Sequence, residues 1–177
     1  MNKNPVFENI KERKNKKDNK AEIISPDNMQ KVLDNMDKKF QIVMEFAMQT
    51  GVRQGEQRAL MWKHIDFEKE VVSIEQAMQL YKIGDVKTAA SFRTVPLAPD
   101  LIIKLKLMKI EKGIPKDNDY VFSLRNKSRI SEKSFLKYLY KAIDKAGLER
   151  FRWHDLRHYF ASILFNQFPK NYDTVTN

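Results

Sequence analysis

A mainly α-helical domain with one small antiparallel β-sheet, an α+β fold, is the class this sequence predicts, and three observations point to it. Apolar residues recur at spacings of three and four in separate stretches along the chain, which is the period of a helix face. In the middle, at Val72 and Ile74 and again at Val95 and Leu97, the period drops to two, as in a half-buried strand. Gly51, Gly84, Gly147, Pro26 and Pro99 fall at the joints between these stretches. With 177 residues, of which 42% are hydrophobic, the chain has enough material for one domain with a substantial core, plus a tail.

Residues 1–20 are polar and basic, with Lys11, Arg13, Lys14, Lys16, Lys17 and Lys20 broken by Asn and Asp, and read as a flexible tail or interdomain linker. Structure is expected from Ser25-Pro26, where Ser can cap a helix and Pro fits its first turn. Met29, Val32, Leu33 and Met36 then form one apolar face. Phe40, Val43, Met44 and Ala47 repeat it, and Ile42 with Phe46 make this second helix apolar on further sides, which places it centrally. Gly51 suits the left-handed residue that ends such a helix. The chain turns before Arg53 and resumes as a short helix from about Gly55 to Trp62.

The strand-like pairs around residues 72 and 95 predict the sheet, with a turn at Gly84-Asp85. Helices follow after Pro99, with Leu101, Leu105 and Met108 on one face, and after Ser131, with Leu136, Leu139, Tyr140 and Ile143. Gly147 stops the latter. A last helix is expected from near His154 through Phe160, Ile163 and Leu164 to Pro169 or shortly before.

The net charge of +10 draws the chain toward polyanions, although a basic surface serving solubility alone would carry the same number. The chain has no cysteine, so disulfides and thiolate zinc sites are excluded. No apolar run approaches the roughly 20 residues that span a bilayer, and Met1 opens no signal-peptide pattern, so a soluble, cytoplasmic protein without a membrane partner is expected.

Three stretches carry candidate chemistry. In Trp153-His154-Asp155-Leu156-Arg157-His158, two histidines four apart resemble a zinc-hydrolase helix, but Arg157 lies between them and only three histidines exist, His64 included. His154 and Arg157 are i, i+3 neighbours and could hold one phosphate, the arginine by a forked pair of bonds. Taken alone, the stretch reads better as a helix whose start is capped by His154 and whose Arg157 pairs with Asp or Glu. In Thr50-Gly51-Val52-Arg53-Gln54-Gly55-Glu56, an arginine leaves a tight corner with Glu56 three residues on. A surface salt bridge would explain that cheaply, whereas a rigid arginine would suit a transition-state clamp. Lys87, in Lys87-Thr88-Ala89-Ala90-Ser91-Phe92-Arg93-Thr94-Val95-Pro96-Leu97, is either a solvated hairpin lysine or an ammonium laid into a DNA groove, where it can protonate a leaving oxygen.

In this order, the three stretches resemble the tyrosine recombinase or phage integrase family, above all integrases of conjugative transposons and Gram-positive phages. The pattern T-G-x-R-x-x-E with L-x-W-x-D-I-D matches Thr50 to Asp66, with His64 in place of the usual first Asp. K-T-x-x-S-x-R-x-V-P-L matches Lys87 to Leu97 throughout, and H-D-L-R-H-T matches His154 to His158, with Tyr159 where Thr or Ser is usual. The resemblance implies the fold of DNA breaking-rejoining catalytic domains over residues 21–177, expected to lack its C-terminal part. It implies site-specific recombination or integration through a 3′-phosphotyrosyl intermediate, a chemistry shared with type IB topoisomerases that needs neither metal nor nucleotide cofactor. Arg53 and Arg157 would contact the nonbridging phosphate oxygens, His154 would assist, and Lys87 would act as general acid; Glu56 and His158 would support them.

Double-stranded DNA is the implied partner, on which family members act as tetramers in the bacterial cell. Members continue past the His-x-x-Arg helix to an L-G-H-like motif and a nucleophilic tyrosine, and neither motif occurs by Asn177. Tyr159 sits on another helical face than Arg157, and Tyr172 lies too close to Arg157 in sequence. No nucleophile is therefore assigned, and residues 1–177 alone are expected not to cleave DNA. The alternatives are a non-catalytic DNA-binding relative that regulates or shapes DNA, a zinc hydrolase on His154 and His158, and a generic basic interaction domain.

Overall fold

A computed structural model describes residues 24–79, 82–85, 92–124 and 128–167. The basic tail 1–20, Lys87, Pro169 and Tyr172 lie outside them. The described residues form α1 (Pro26–Asp34), α2 (Lys38–Thr50), α3 (Gln54–Ala59), β1 (Ile65–Asp66), β2 (Val71–Ile74), β3 (Gln76–Gln79), β4 (Lys82–Asp85), β5 (Arg93–Pro96), α4 (Pro99–Glu111), α5 (Glu132–Lys145) and α6 (Asp155–Gln167). The mainly helical fold with antiparallel β-structure is the one its periodicity predicts.

Helix boundaries follow the local chemistry. Ser25 accepts the Asn28 N–H at 3.2 Å with Pro26 in the first turn, so α1 starts where a cap and a proline coincide. Asp37 caps α2 by accepting the Lys39 N–H at 3.1 Å. Gly51 ends α2 at φ 60°, where a side chain would strain the backbone. Ser131 accepts the Ser134 N–H to open α5, and Gly147 follows its end at φ 69°.

Helix α2 is central: Phe40, Val43, Met44, Phe46 and Ala47 are all buried and Ile42 is half-buried. Its burial on several sides is why its apolar residues exceed one stripe. The core continues through Met29 and Val32 of α1, Leu101 and Leu105 of α4, Leu139 and Ile143 of α5, and Leu156 of α6. On α5 the innermost face is Phe135, Leu139, Ala142 and Ile143, while Leu136 and Tyr140 are only half-buried; the predicted face was rotated toward its edge.

The sheet region is richer than predicted. Strands β1, β2 and β5 form one antiparallel sheet in that order, with Val72 opposite Val95 and Ile74 opposite Arg93. Strands β3 and β4 form a separate antiparallel pair in which Gly84 lies opposite Ala77 and Asp85 opposite Gln76. Gly84-Asp85 is thus inside β4 rather than a turn: glycine tolerates a ladder position as well as a corner, and cross-strand pairing decided between them. Leu97 lies just past β5, where its N–H donates to the Glu70 carbonyl at 2.8 Å.

The helix expected to reach Trp62 stops at Ala59, and Trp62–His64 form a separate 3-10 turn. His64 Nδ1 accepts the Met61 N–H at 3.0 Å, a bond that closes this turn. Trp62 is buried beneath it, and its backbone N–H is taken by the Asp119 carbonyl at 3.1 Å, which holds the chain away from a continued helix.

Candidate active site

The corner between α2 and α3 is organised by one carboxylate. Glu56 occupies the third position of α3 and its side chain is 2% exposed. Its Oε2 accepts the Arg53 backbone N–H at 2.8 Å, the acidic half of a capping box that fixes the chain as it enters the helix. Its Oε1 accepts Arg53 Nη1 at 3.1 Å, and Arg93 adds a two-armed fork, Nη1 to Oε1 at 3.1 Å and Nη2 to Oε2 at 2.7 Å. Burial by itself would raise the Glu56 carboxyl; the Arg93 hydrogen bonds, the Arg53 N–H, the Arg93 charge and the Arg53 side chain together hold it below the usual glutamate value. Glu56 is an anion held in place, while the Arg53 side chain remains 54% exposed.

Arg157 arrives from α6, more than a hundred residues later. The helix is set by Trp153, which is buried edge-on against Phe135 of α5 with ring centroids 4.7 Å apart, immediately before His154. Arg157 Nη1 donates to the carbonyl of Gly51, an acceptor left free at the end of α2. α6 approaches so closely that a Cβ on Gly51 would run into the ring of Phe160. Glycine at position 51 therefore does three things: it ends α2, admits Phe160, and offers its carbonyl to Arg157. Desolvation and then the charges of Arg53 and Arg93 lower the Arg157 pKa while Glu56 opposes them, so the three guanidiniums share one electrostatic neighbourhood. Three cations and one carboxylate in that neighbourhood leave an excess of positive charge, an arrangement that can bind an oxyanion.

His154 and His158 face each other nearly at right angles, with ring centroids 5.0 Å apart. Partial desolvation, then the charges of His158 and Arg157, lower the His154 pKa, which favours the neutral ring. Asp155 does not pair with Arg157: it accepts the Arg152 N–H at 2.7 Å and the Arg152 guanidinium at 3.2 Å. The expectation that Arg157 would pair with an acid gives way to the Gly51 carbonyl, because Asp155 is already satisfied by its nearer neighbour. Tyr159 is half-buried and its hydroxyl pKa is raised by desolvation, so it resists ionisation. Among the described residues no group of three His, Asp or Glu side chains could hold a metal ion, so the zinc alternative lacks a third ligand there.

The fold thus gathers Arg53, Glu56 and Arg157, and sets His158 on the same helix as Arg157 with His154 in the turn just before it. Lys87 lies outside the described residues. Arg93 lies within the Lys87 to Leu97 motif, and the motif alone assigns it no role. The available signal was its place at the start of a strand, from which a long side chain can reach a neighbouring helix.

Two arginines hold one buried carboxylate, a third is anchored beside them on the Gly51 carbonyl, and two histidines lie at the start of α6, a cluster of cations suited to an oxyanion. The chain belongs to the phage integrase family, the tyrosine recombinases, whose family model matches residues 22–170. It is 32% identical over 145 residues to a tyrosine recombinase XerC-like protein of Caldanaerobacter subterraneus subsp. tengcongensis, covering 68% of this chain and 37% of that protein. It is 26% identical over 154 residues to the integrase of Salmonella phage P22, covering 80% of this chain and 36% of that protein. The fold is shared with the Tn1549 transposon integrase solved in complex with circular intermediate DNA, at a TM-score of 0.71 and 19% identity, over 82% of this chain and 55% of that one. The chain therefore spans little more than a third of the two relatives' lengths. Among the described residues no helix is long and apolar enough to cross a membrane.

Proposed function

We propose that this chain supplies the phosphate-activating part of a DNA integrase that recombines specific sites through a 3′-phosphotyrosyl intermediate. The observation that carries the reading is the convergence of Arg53 and Arg157, each anchored from a different end of the domain, on the corner built by Gly51 and Glu56. In the proposed step a tyrosine oxygen attacks the scissile phosphorus and the bond to the 5′ oxygen breaks. Arg53 and Arg157 take the nonbridging oxygens as their charge grows. Because these donors are already oriented, little reorganisation is needed, and removing one such donor costs roughly a hundredfold to a thousandfold in rate.

His154 sits one helical turn before Arg157 and hydrogen-bonds a nonbridging oxygen or relays a proton, with His158 beside it. Lys87 protonates the departing 5′ oxygen. Glu56 does no chemistry and holds the Arg53 corner. The net charge of +10 supports double-stranded DNA as partner, on which the whole protein acts as a tetramer, with residues 1–20 as a basic tail and 21–177 as the catalytic domain. No residue of the chain is assigned as nucleophile, so residues 1–177 alone bind DNA without cleaving it.

A nicked duplex containing the recombination site, resolved on a denaturing gel, tests both halves. Residues 1–177 should form no covalent adduct, and an adduct would identify a nucleophile within them. The protein that carries the nucleophile should form one, and Arg53→Ala or Arg157→Ala should abolish it while largely sparing binding. Near-normal cleavage by either variant would overturn the clamp assignment, whereas no adduct even from the protein that carries the nucleophile would favour a non-catalytic DNA-binding relative.

A further inference from the structure

The carboxylate of Glu56 has room for about four hydrogen bonds, two at each oxygen. All four are occupied: the Arg53 N–H and Arg93 Nη2 share Oε2, and Arg53 Nη1 and Arg93 Nη1 share Oε1. Arg93 makes the two-armed contact and the shortest bond, although it comes from β5 and is 37 residues away in sequence. Arg53, only three residues away, is limited to one side-chain bond. An arginine beside an unshared carboxylate would ordinarily take it with both arms, and its guanidinium would then lie flat against the acid. The fork from Arg93 prevents that.

We propose that Arg93 is a positioning residue: by saturating Glu56 it limits Arg53 to a single arm and leaves the rest of the Arg53 guanidinium turned outward for a phosphate. Its foundation is rigid, because Arg93 pairs with Ile74 in the β2–β5 ladder and Ile74 is buried in the core. The outward guanidinium agrees with the exposure of the Arg53 side chain beside a carboxylate that is almost fully buried. The corner between α2 and α3 is in this way tied to the sheet. The proposal rests on the reading of Arg53 as a phosphate contact only for its functional meaning; the geometry can be tested separately.

The test is the rate at which a dicarbonyl reagent, phenylglyoxal, modifies Arg53 in the 177-residue chain, located by peptide mass spectrometry. In Arg93→Ala, Glu56 should take Arg53 with both arms and slow its modification by about tenfold, the order expected for one added charge-assisted bond. Arg93→Lys should slow it too, since an ammonium is a point donor that cannot fork across a carboxylate. In a Glu56→Gln background, Arg93→Ala should change the rate little. Wild-type reactivity of Arg53 in Arg93→Lys, or an undiminished effect of Arg93→Ala in the Glu56→Gln background, would overturn the proposal. Thermal unfolding of each variant checks that it is folded, and the lysine variant decides should the alanine variant unfold. A random-sequence duplex at low salt should protect Arg53 in the wild-type chain. Failure of that protection would count against the phosphate reading and leave the Arg93 result standing.

Discussion

Glu56 and Asp144 each bind an arginine at hydrogen-bond distance, with shortest contacts of 2.7 Å in both cases, to Arg93 and Arg150. Their surroundings differ. The Glu56 side chain is 2% exposed and its partners come from a helix corner and a strand far apart in sequence. The Asp144 side chain is 50% exposed, its partner is six residues away, and both ends of the pair face solvent. The comparison teaches that ion-pair geometry alone says little. A pair matters where burial removes water as a substitute partner and where the partners belong to elements that the fold must bring together.

Substitutions should separate these two regimes. The largest loss is expected for Glu56→Ala, which leaves two arginines beside a buried vacancy and should cost about 3–5 kcal/mol in denaturant unfolding. A cost near that of an exposed pair would put Glu56 in the same class as Asp144. Acid should reveal the same difference. Because the folded Glu56 pKa lies below its unfolded value, its stabilisation is complete above the unfolded pKa and is lost as pH falls through the folded one. The stability gap between wild type and Glu56→Gln should therefore be constant near neutral pH and narrow on acidification; a gap that widens in acid would mean that folding raises the Glu56 pKa.

Gly51→Ala tests the other anchor of the site. The added methyl must displace Phe160 at a left-handed backbone position, at a combined cost of about 2–4 kcal/mol. Wild-type stability would show that α6 does not depend on that approach. An intermediate case is Glu45, 17% exposed and bonded to Lys104 at 2.7 Å. Glu45→Gln should cost about 0.5 kcal/mol in the same unfolding measurement, with some dependence on salt. Asp144→Asn should leave the melting temperature unchanged. A clear drop would mean that the exposed Arg150 pair, with Arg150 also over the Tyr140 ring, contributes more than its exposure suggests.

Much of the fold was legible because local rules and burial agreed. Ser25-Pro26, Gly51 and Gly147 mark helix ends by their own backbone preferences, and the apolar spacing of α1 and α2 is met by the core. The strands were read less well. β1 and β3 have no alternation long enough to register, and Gly84 locally favours a turn until cross-strand pairing overrides it. His64 was visible as a departure from the family pattern, but its role was not: its ring closes a backbone turn through Nδ1, and desolvation favours the neutral form.

The helical class, the positions of Arg53, Glu56, His154 and Arg157, and the family to which those motifs belong are properties of short segments, set by spacing and residue type. What the charges face was set by packing. Arg157 goes to the Gly51 carbonyl rather than to an acid, and Arg93 goes to Glu56. Hydrogen bonds between residues 37 and 106 positions apart depend on how elements pack, and side-chain chemistry alone leaves many partners open. Burial then removes the competing water, so that Arg157 is left with a backbone carbonyl and Arg93 with a buried carboxylate.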